Sequence, residues 1–309
     1  MYTIVRDAAQ TFADTLIAAA ATPMTTDRRT DTEVTKSYFE SLVSTGADGL
    51  AVAVHTGRPP VLDMPTRAEL VSVACSMTPI VVTGVSSAEG GPDEREWPIL
   101  AARAGASALL VFASAGESVG TALGRYDELW NSTGLPLIAF DLYSNPYSLD
   151  ELSELLDHPA VAAFKPARLY DAVACQDAIA LARERGRCVL SGEDRMLGPS
   201  LMWGAQGALV GLAAATVRPT AALISAHRDG DARAFLRASS AVDALAVSTF
   251  RQPWDGYVQR MLWIAADEGL IPSEYAVDPL RPAGLHDAEH DEVIAAARRA
   301  HEILSSGDA

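Results

Sequence analysis

The chain has 309 residues, 49% of them hydrophobic and 21% charged, with a formal net charge of −16. That length and apolar content support one large core, or a core with a smaller satellite, and exclude a disordered chain. The acidic balance argues against nucleic acid and against anionic membrane surfaces as partners. The opening stretch, MYTIVRDAAQTFADT, is polar and lacks a basic region followed by an apolar core, so no signal peptide is expected. Gly, Pro or charge interrupts every apolar run before the ~18 residues that a membrane-spanning helix needs. The expectation is a soluble, cytoplasmic protein. Cys75, Cys175 and Cys188 are scattered, with no C-x-x-C pair, and fit free thiols in a reducing compartment.

Short apolar runs recur along the chain. They are LIAAAATP (16–23), DGLAVAV (48–54), PIVVTGV (79–85), SALLVFA (107–113), PLIAFDL (136–142), AVAAFKP (160–166), RCVLSGE (187–193) and GALVGLA (207–213). Each is continuous rather than alternating, as in a parallel strand covered on both faces. Between them lie amphipathic segments such as TDTEVTKSYFESLVSTG (30–46) and PDEREWPILAARAG (92–105). A repeat of roughly 20 to 30 residues suits consecutive βα units. Eight strands alternating with helices predict an α/β fold, a closed (βα)8 TIM barrel. An open doubly wound sheet would carry a Gly-rich phosphate turn after its first strand, and that turn here reads ATPMTTD. After about residue 220 the alternation gives way to helical patterns. The expected organisation is a barrel with a short N-terminal lead-in over 1–225 and a C-terminal helical extension packed on it over 226–309.

In a barrel of this type, chemistry sits at the C-terminal ends of the strands. Those ends carry Thr22-Pro23, His55-Thr56-Gly57-Arg58, Gly84-Val85-Ser86, Ala113-Ser114, Phe140-Asp141, Lys165, Ser191-Gly192-Glu193-Asp194 and, at the eighth, the region of Gly211. Lys165 stands out because the chain has only two lysines, the other being Lys36 on a polar helix. Lysine can lose its proton and attack a carbonyl; arginine cannot. Packed among Phe164, Ala163 and barrel-lining aliphatics, Lys165 is poorly solvated when charged. Desolvation lowers its pKa from ~10.4 toward the physiological range. The neutral amine can form a Schiff base with a ketone or aldehyde, and the iminium then acts as an electron sink. A salt bridge to Glu193 or Asp194 is the structural alternative.

His55 alone of the six histidines ends an apolar strand. It reads either as a general acid or base near neutral pH or as a hydrogen-bonding mouth residue. Thr56-Gly57 offers a hydroxyl and open backbone N–H groups at a turn, which suits a carboxylate. His286 and His290 have an i,i+4 spacing that can bind zinc, but in the extension they read as a surface helix face, and no metal is expected. Trp203, Trp254 and Trp263 read as packing residues.

Taken in order and spacing, several of these pieces resemble the dihydrodipicolinate synthase / N-acetylneuraminate lyase family of class I pyruvate-dependent aldolases. They are Thr22-Pro23, GADGLAVAVHTGR (46–58), FKPA (164–167) and LSGEDRMLGPSLMWGAQGALVG (190–211). The resemblance implies pyruvate, or the pyruvyl end of a 2-keto acid, bound as an imine to Lys165. It implies that the loop His55-Thr56-Gly57 holds the carboxylate, and that Gly192 and the backbone around Leu209 line the pocket. It also implies a homodimer or homotetramer. The departures are specific. The family's tyrosine after strand five, which relays protons, falls here on Phe140. The first of its paired threonines falls on His55. Its aromatic stretch after strand four is replaced by Ala113-Ser114-Ala115, and its substrate-holding arginine has no clear equivalent near Tyr143-Ser144-Asn145-Pro146.

Two readings follow. One is a Schiff-base lyase or aldolase, or a dehydratase, acting on a 2-keto acid and an aldehyde rather than in lysine biosynthesis, with His55, water or a substrate group moving the proton. The other is a pseudoenzyme that keeps the keto-acid pocket. No organic cofactor is expected, because the lysine is itself the electrophilic catalyst.

Overall fold

The computed structural model of the chain describes residues 3–86 and 93–306. Eight short parallel strands close in sequence order into a barrel: β1 (Leu16–Ala19), β2 (Gly49–Val52), β3 (Val81–Val85), β4 (Ala108–Phe112), β5 (Leu137–Leu142), β6 (Val161–Ala167), β7 (Cys188–Ser191) and β8 (Gly207–Val210). Each strand falls on the apolar run that predicts it, β6 alone extending one residue past its run, and the TIM barrel expected from the sequence is the architecture found. The ring closes where β1 pairs with β8, Ile17 in register with Leu209. For β1, β2, β4, β7 and β8 the predicted run outlasts the strand at its C-terminal end. Ala20, Ala21 and Thr22 follow β1 and remain buried, so apolarity there reports covered loops rather than extended backbone.

Helix α1 (Thr3–Phe12) precedes the barrel. Helices α2 (Thr32–Ser44), α3 (Met64–Cys75), α4 (Asp93–Ala104), α5 (Val119–Thr133), α6 (Leu149–Asp157), α7 (Ala172–Glu184) and α8 (Leu197–Met202) each follow a strand and form the outer ring. The Asp31 carboxylate starts α2 by accepting from the N–H groups of Glu33 and Val34 at 2.9 and 3.0 Å. Of the helix expected over 92–105, Pro92 lies outside the described residues. Apolar packing falls into two clusters, one inside the barrel and one between strands and helices. Val5 and Phe12 of α1 belong to the inner cluster, so the lead-in helix closes the barrel's N-terminal end.

Four helices follow the last strand: α9 (Val217–Arg228), α10 (Ala232–Thr249), α11 (Tyr257–Asp267) and α12 (His290–Ser305). The boundary placed at 225/226 falls inside α9, which continues past the point where the sequence alternation stops. α10 and α12 pack on α9. Buried polar contacts pin the extension over the mouth. Arg58, after β2, donates through Nε and Nη2 to the Asp278 carboxylate at 3.0 and 2.8 Å. Arg260 of α11 donates to the carbonyls of Thr249 and Arg251 and to Glu289. Among the described residues, no helix is long and apolar enough to cross a membrane.

Candidate active site

Lys165 is buried on β6, its backbone in register with Phe140 of β5. Its Nζ sits 3.8 Å from the centroid of the Phe140 ring. Gly192, just after β7, permits this position: a Cβ there would fall 2.6 Å from Lys165 Nζ and 2.6 Å from the Pro166 carbonyl oxygen. The salt bridge to Glu193 or Asp194 that the sequence left open is not formed. The Glu193 carboxylate is taken by the backbone N–H groups of Arg168 and Leu169, and that of Asp194 accepts the N–H of Leu212 at 2.8 Å. Lys165 therefore has no ion-pair partner among the described residues. Burial lowers its pKa to about 8, against the weaker opposing pull of Asp194 and Glu193. Burial raises the Asp194 carboxyl to about 7.

Across the cavity, His55-Thr56-Gly57 forms a 3-10 turn at the end of β2. Thr22 locks this turn by donating its hydroxyl to the Gly57 carbonyl at 2.8 Å. Arg58 follows in a left-handed conformation, φ 52°, held by its pair with Asp278. Of the two readings the sequence leaves open for His55, acid or base near neutral pH and hydrogen-bonding mouth residue, its contacts favour the second. Burial, reinforced by the Arg58 charge, lowers the His55 pKa to about 4, so the ring is neutral under physiological conditions. Its Nε2 lies 3.5 Å from Asp255 Oδ1 and its Nδ1 3.0 Å from the Tyr257 hydroxyl. A carboxylate beside Nε2 favours the tautomer with its proton there, leaving Nδ1 to accept from Tyr257.

Tyr257, the first residue of α11, lines the cavity as well and was not singled out from the sequence. Its hydroxyl lies 2.8 Å from Thr56 Oγ1 as well as beside His55. Its ring stacks on Phe250 with centroids 4.5 Å apart. Gly211, after β8, leaves room for that ring, because a Cβ there would lie 2.8 Å from Tyr257 Cε2. Burial raises the phenol's pKa, so it stays protonated across the working pH range. Tyr143 also reaches the cavity, but its hydroxyl donates to Asp255 at 3.0 Å.

These groups face one cavity at the barrel mouth that is open to solvent on one side. Lys165, His55, Thr56, Phe140, Gly192 and Leu209 all line it. Gly57 does not reach the wall and lies behind Thr56. Trp254 packs against the core as the sequence leads one to expect, and it also lines the cavity and stacks with Tyr170 at 6.2 Å. His286 precedes the short turn that leads into α12 and His290 begins that helix, so the pair does not share a helical face. Among the described residues, no group of three or more potential ligands could hold a metal ion.

Comparison with known proteins places this geometry. The model of the dihydrodipicolinate synthetase family matches residues 13–298. A 4-hydroxy-tetrahydrodipicolinate synthase from Bifidobacterium longum is 29% identical over 268 residues, which cover 84% of this chain and 85% of that one. The solved dihydrodipicolinate synthase from Agrobacterium tumefaciens superposes with a TM-score of 0.81 at 21% identity, covering 96% of this chain and 99% of that one. The chloride-inhibited dihydrodipicolinate synthase from Acinetobacter baumannii, complexed with pyruvate, also reaches a TM-score of 0.81, at 19% identity over 94% of this chain and 99% of that one. These superpositions bear on the fold. The family match starts before β1, takes in every strand and runs into the last helix, and on that ground the chain belongs to the dihydrodipicolinate synthetase family.

Proposed function

We propose that the protein is a class I lyase or aldolase that binds pyruvate or another 2-keto acid as a Schiff base on Lys165. The observation that carries this reading is a buried amine with its pKa lowered to about 8 and no ion-pair partner among the described residues, facing a cavity. The neutral amine attacks C2 of the keto acid, whose carboxylate lies against His55 and Thr56, since Gly57 is off the wall and its N–H is donated to the Val54 carbonyl. A proton moves from nitrogen to the former carbonyl oxygen. The carbinolamine then loses that oxygen as water, which needs a proton donor nearby. Phe140 has none. Tyr257 supplies one, with Thr56 and His55 within 2.8 and 3.0 Å to pass the proton on. Asp194 and Glu193 offset the iminium charge. Loss of a C3 proton gives the enamine, which adds to an aldehyde; the reverse sequence cleaves the same bond. Water then releases the product and restores Lys165.

The relatives are named as synthases, but Phe140 and the loop around Asn145 differ from the pattern the synthase reaction uses, so we assign the lyase class without that second substrate. A keto-acid-binding pseudoenzyme is the second reading, favoured by the missing hydroxyl at Phe140. Borohydride reduction in the presence of pyruvate separates the two from a protein that forms no imine. A pyruvyl adduct is expected on the peptide containing Lys165. Its rate of formation should rise about tenfold per pH unit below pH 8 and level off above, following the neutral amine. A folded protein that yields no adduct ends the proposal. Catalytic turnover with an aldehyde decides between enzyme and pseudoenzyme. We further propose a homodimer or homotetramer; a monomer in sedimentation equilibrium at micromolar concentration would contradict that.

A further inference from the structure

We propose that the aldehyde partner carries an apolar substituent, aromatic or bulky aliphatic, rather than a charged or polyhydroxylated one. The inference rests on Lys165 as the imine site and concerns the part of the cavity beyond it.

Phe140 and Lys165 are in register across β5 and β6, and so are Leu142 and Ala167, two residues further toward the mouth. Side chains two apart on a strand share a face, so Leu142 and Ala167 form the next layer, roughly 7 Å outward. Leu169, Phe250 and Trp254 add further apolar side chains to the wall of the same cavity. Trp254 is stacked on the exposed Tyr170, which extends aromatic surface out to the rim.

The polar groups near this layer are already committed. Tyr143 donates to Asp255. Arg58 is taken by both oxygens of Asp278 and by the Asp255 carbonyl. Arg168, just past Ala167, turns to Asp141 and the Tyr147 carbonyl. Asn145 donates to the Ser114 carbonyl. Among the described lining residues Lys165 is the only lysine or arginine, and the imine consumes it. Within this layer a second carboxylate or a phosphate on the aldehyde would lose water and meet no lysine or arginine besides Lys165; Arg58 and Arg67 line the neighbouring pocket on the other side of Leu142. An apolar group would displace water from Leu142, Leu169, Phe250 and Trp254.

The step balances without a further reactant. The enamine C3 bonds to the aldehyde carbon, the aldehyde oxygen takes a proton, and hydrolysis of the imine releases a 4-hydroxy-2-keto acid.

The test uses two readouts on the intact protein. Exchange of pyruvate C3 hydrogens for deuterium, followed by NMR, reports the imine and enamine with no aldehyde present. Aldol formation is then measured with benzaldehyde and hexanal against glyceraldehyde and succinic semialdehyde. The apolar pair should exceed the polar pair in kcat/KM by about 10–100-fold. A Leu142→Arg variant, at a half-buried position near the mouth, should shift the ratio toward succinic semialdehyde by at least about tenfold. Exchange without this preference, or with no aldehyde used, overturns the inference and leaves the Lys165 reading standing. Absence of exchange removes both.

Discussion

Replacing Lys165 by methionine is expected to abolish the borohydride-trapped adduct and to lower turnover by at least about 10⁴-fold, while making the protein more stable. Activity falls because no other lysine or arginine lines the cavity among the described residues, so nothing replaces the nucleophile. Stability rises because the native lysine is a buried cation held against its preference. The folded pKa is about 8 where the ordinary value is 10.5. For a base whose pKa falls on folding, the penalty is fully present below the folded pKa and fades as pH rises toward the unfolded one. At pH 7 it is about 3 kcal/mol as an upper bound. Methionine is unbranched, one atom shorter than lysine, and carries no charge. Thermal unfolding of the variant at pH 7 and pH 10 checks the sign: the gain should be larger at pH 7. A variant less stable than the parent at pH 7 would show Lys165 to be structural.

Tyr257→Phe should lower imine formation and turnover by about 10²–10⁴-fold with little change in stability. The phenylalanine keeps the stack on Phe250 and loses only the oxygen between Thr56 and His55. Tyr143→Phe is the comparison, since that tyrosine lines the same cavity with its hydroxyl turned to Asp255. Its effect should stay below about tenfold. Because the His55 ring is neutral above about pH 5, the Tyr257→Phe loss should be uniform from pH 6 to 9. If Tyr143→Phe costs more than Tyr257→Phe, the proton donor has been misassigned.

The sequence made the barrel readable for a physical reason. Parallel strands buried on both faces write themselves as unbroken apolar runs, and β1 to β8 all did so. Lys165 was readable because a rare amine at the end of such a run has few structural uses. Tyr257 was not, since it meets Thr56 across 201 positions and begins a helix of ordinary amphipathic pattern. The low pKa of His55 was hidden for the same reason: it comes first from burial, and the ring beside it is that of Tyr257, 202 residues away. Trp254 was readable as a packing residue, and only the path of the chain between α10 and α11 also turns it toward the cavity.

That path bears on how the protein comes into being during translation. Lys165 emerges from the ribosome with β6, well ahead of the residues that finish its surroundings. β1 has one free edge until β8 arrives to pair with it. Tyr257 and Asp278 follow later still, and with them the hydroxyl and the clamp on Arg58. A nascent chain ending before Tyr257 thus carries Lys165 without the helices that complete the cavity around it. On the reading proposed above, the site is whole only after the segment that follows β8 has packed on the closed barrel.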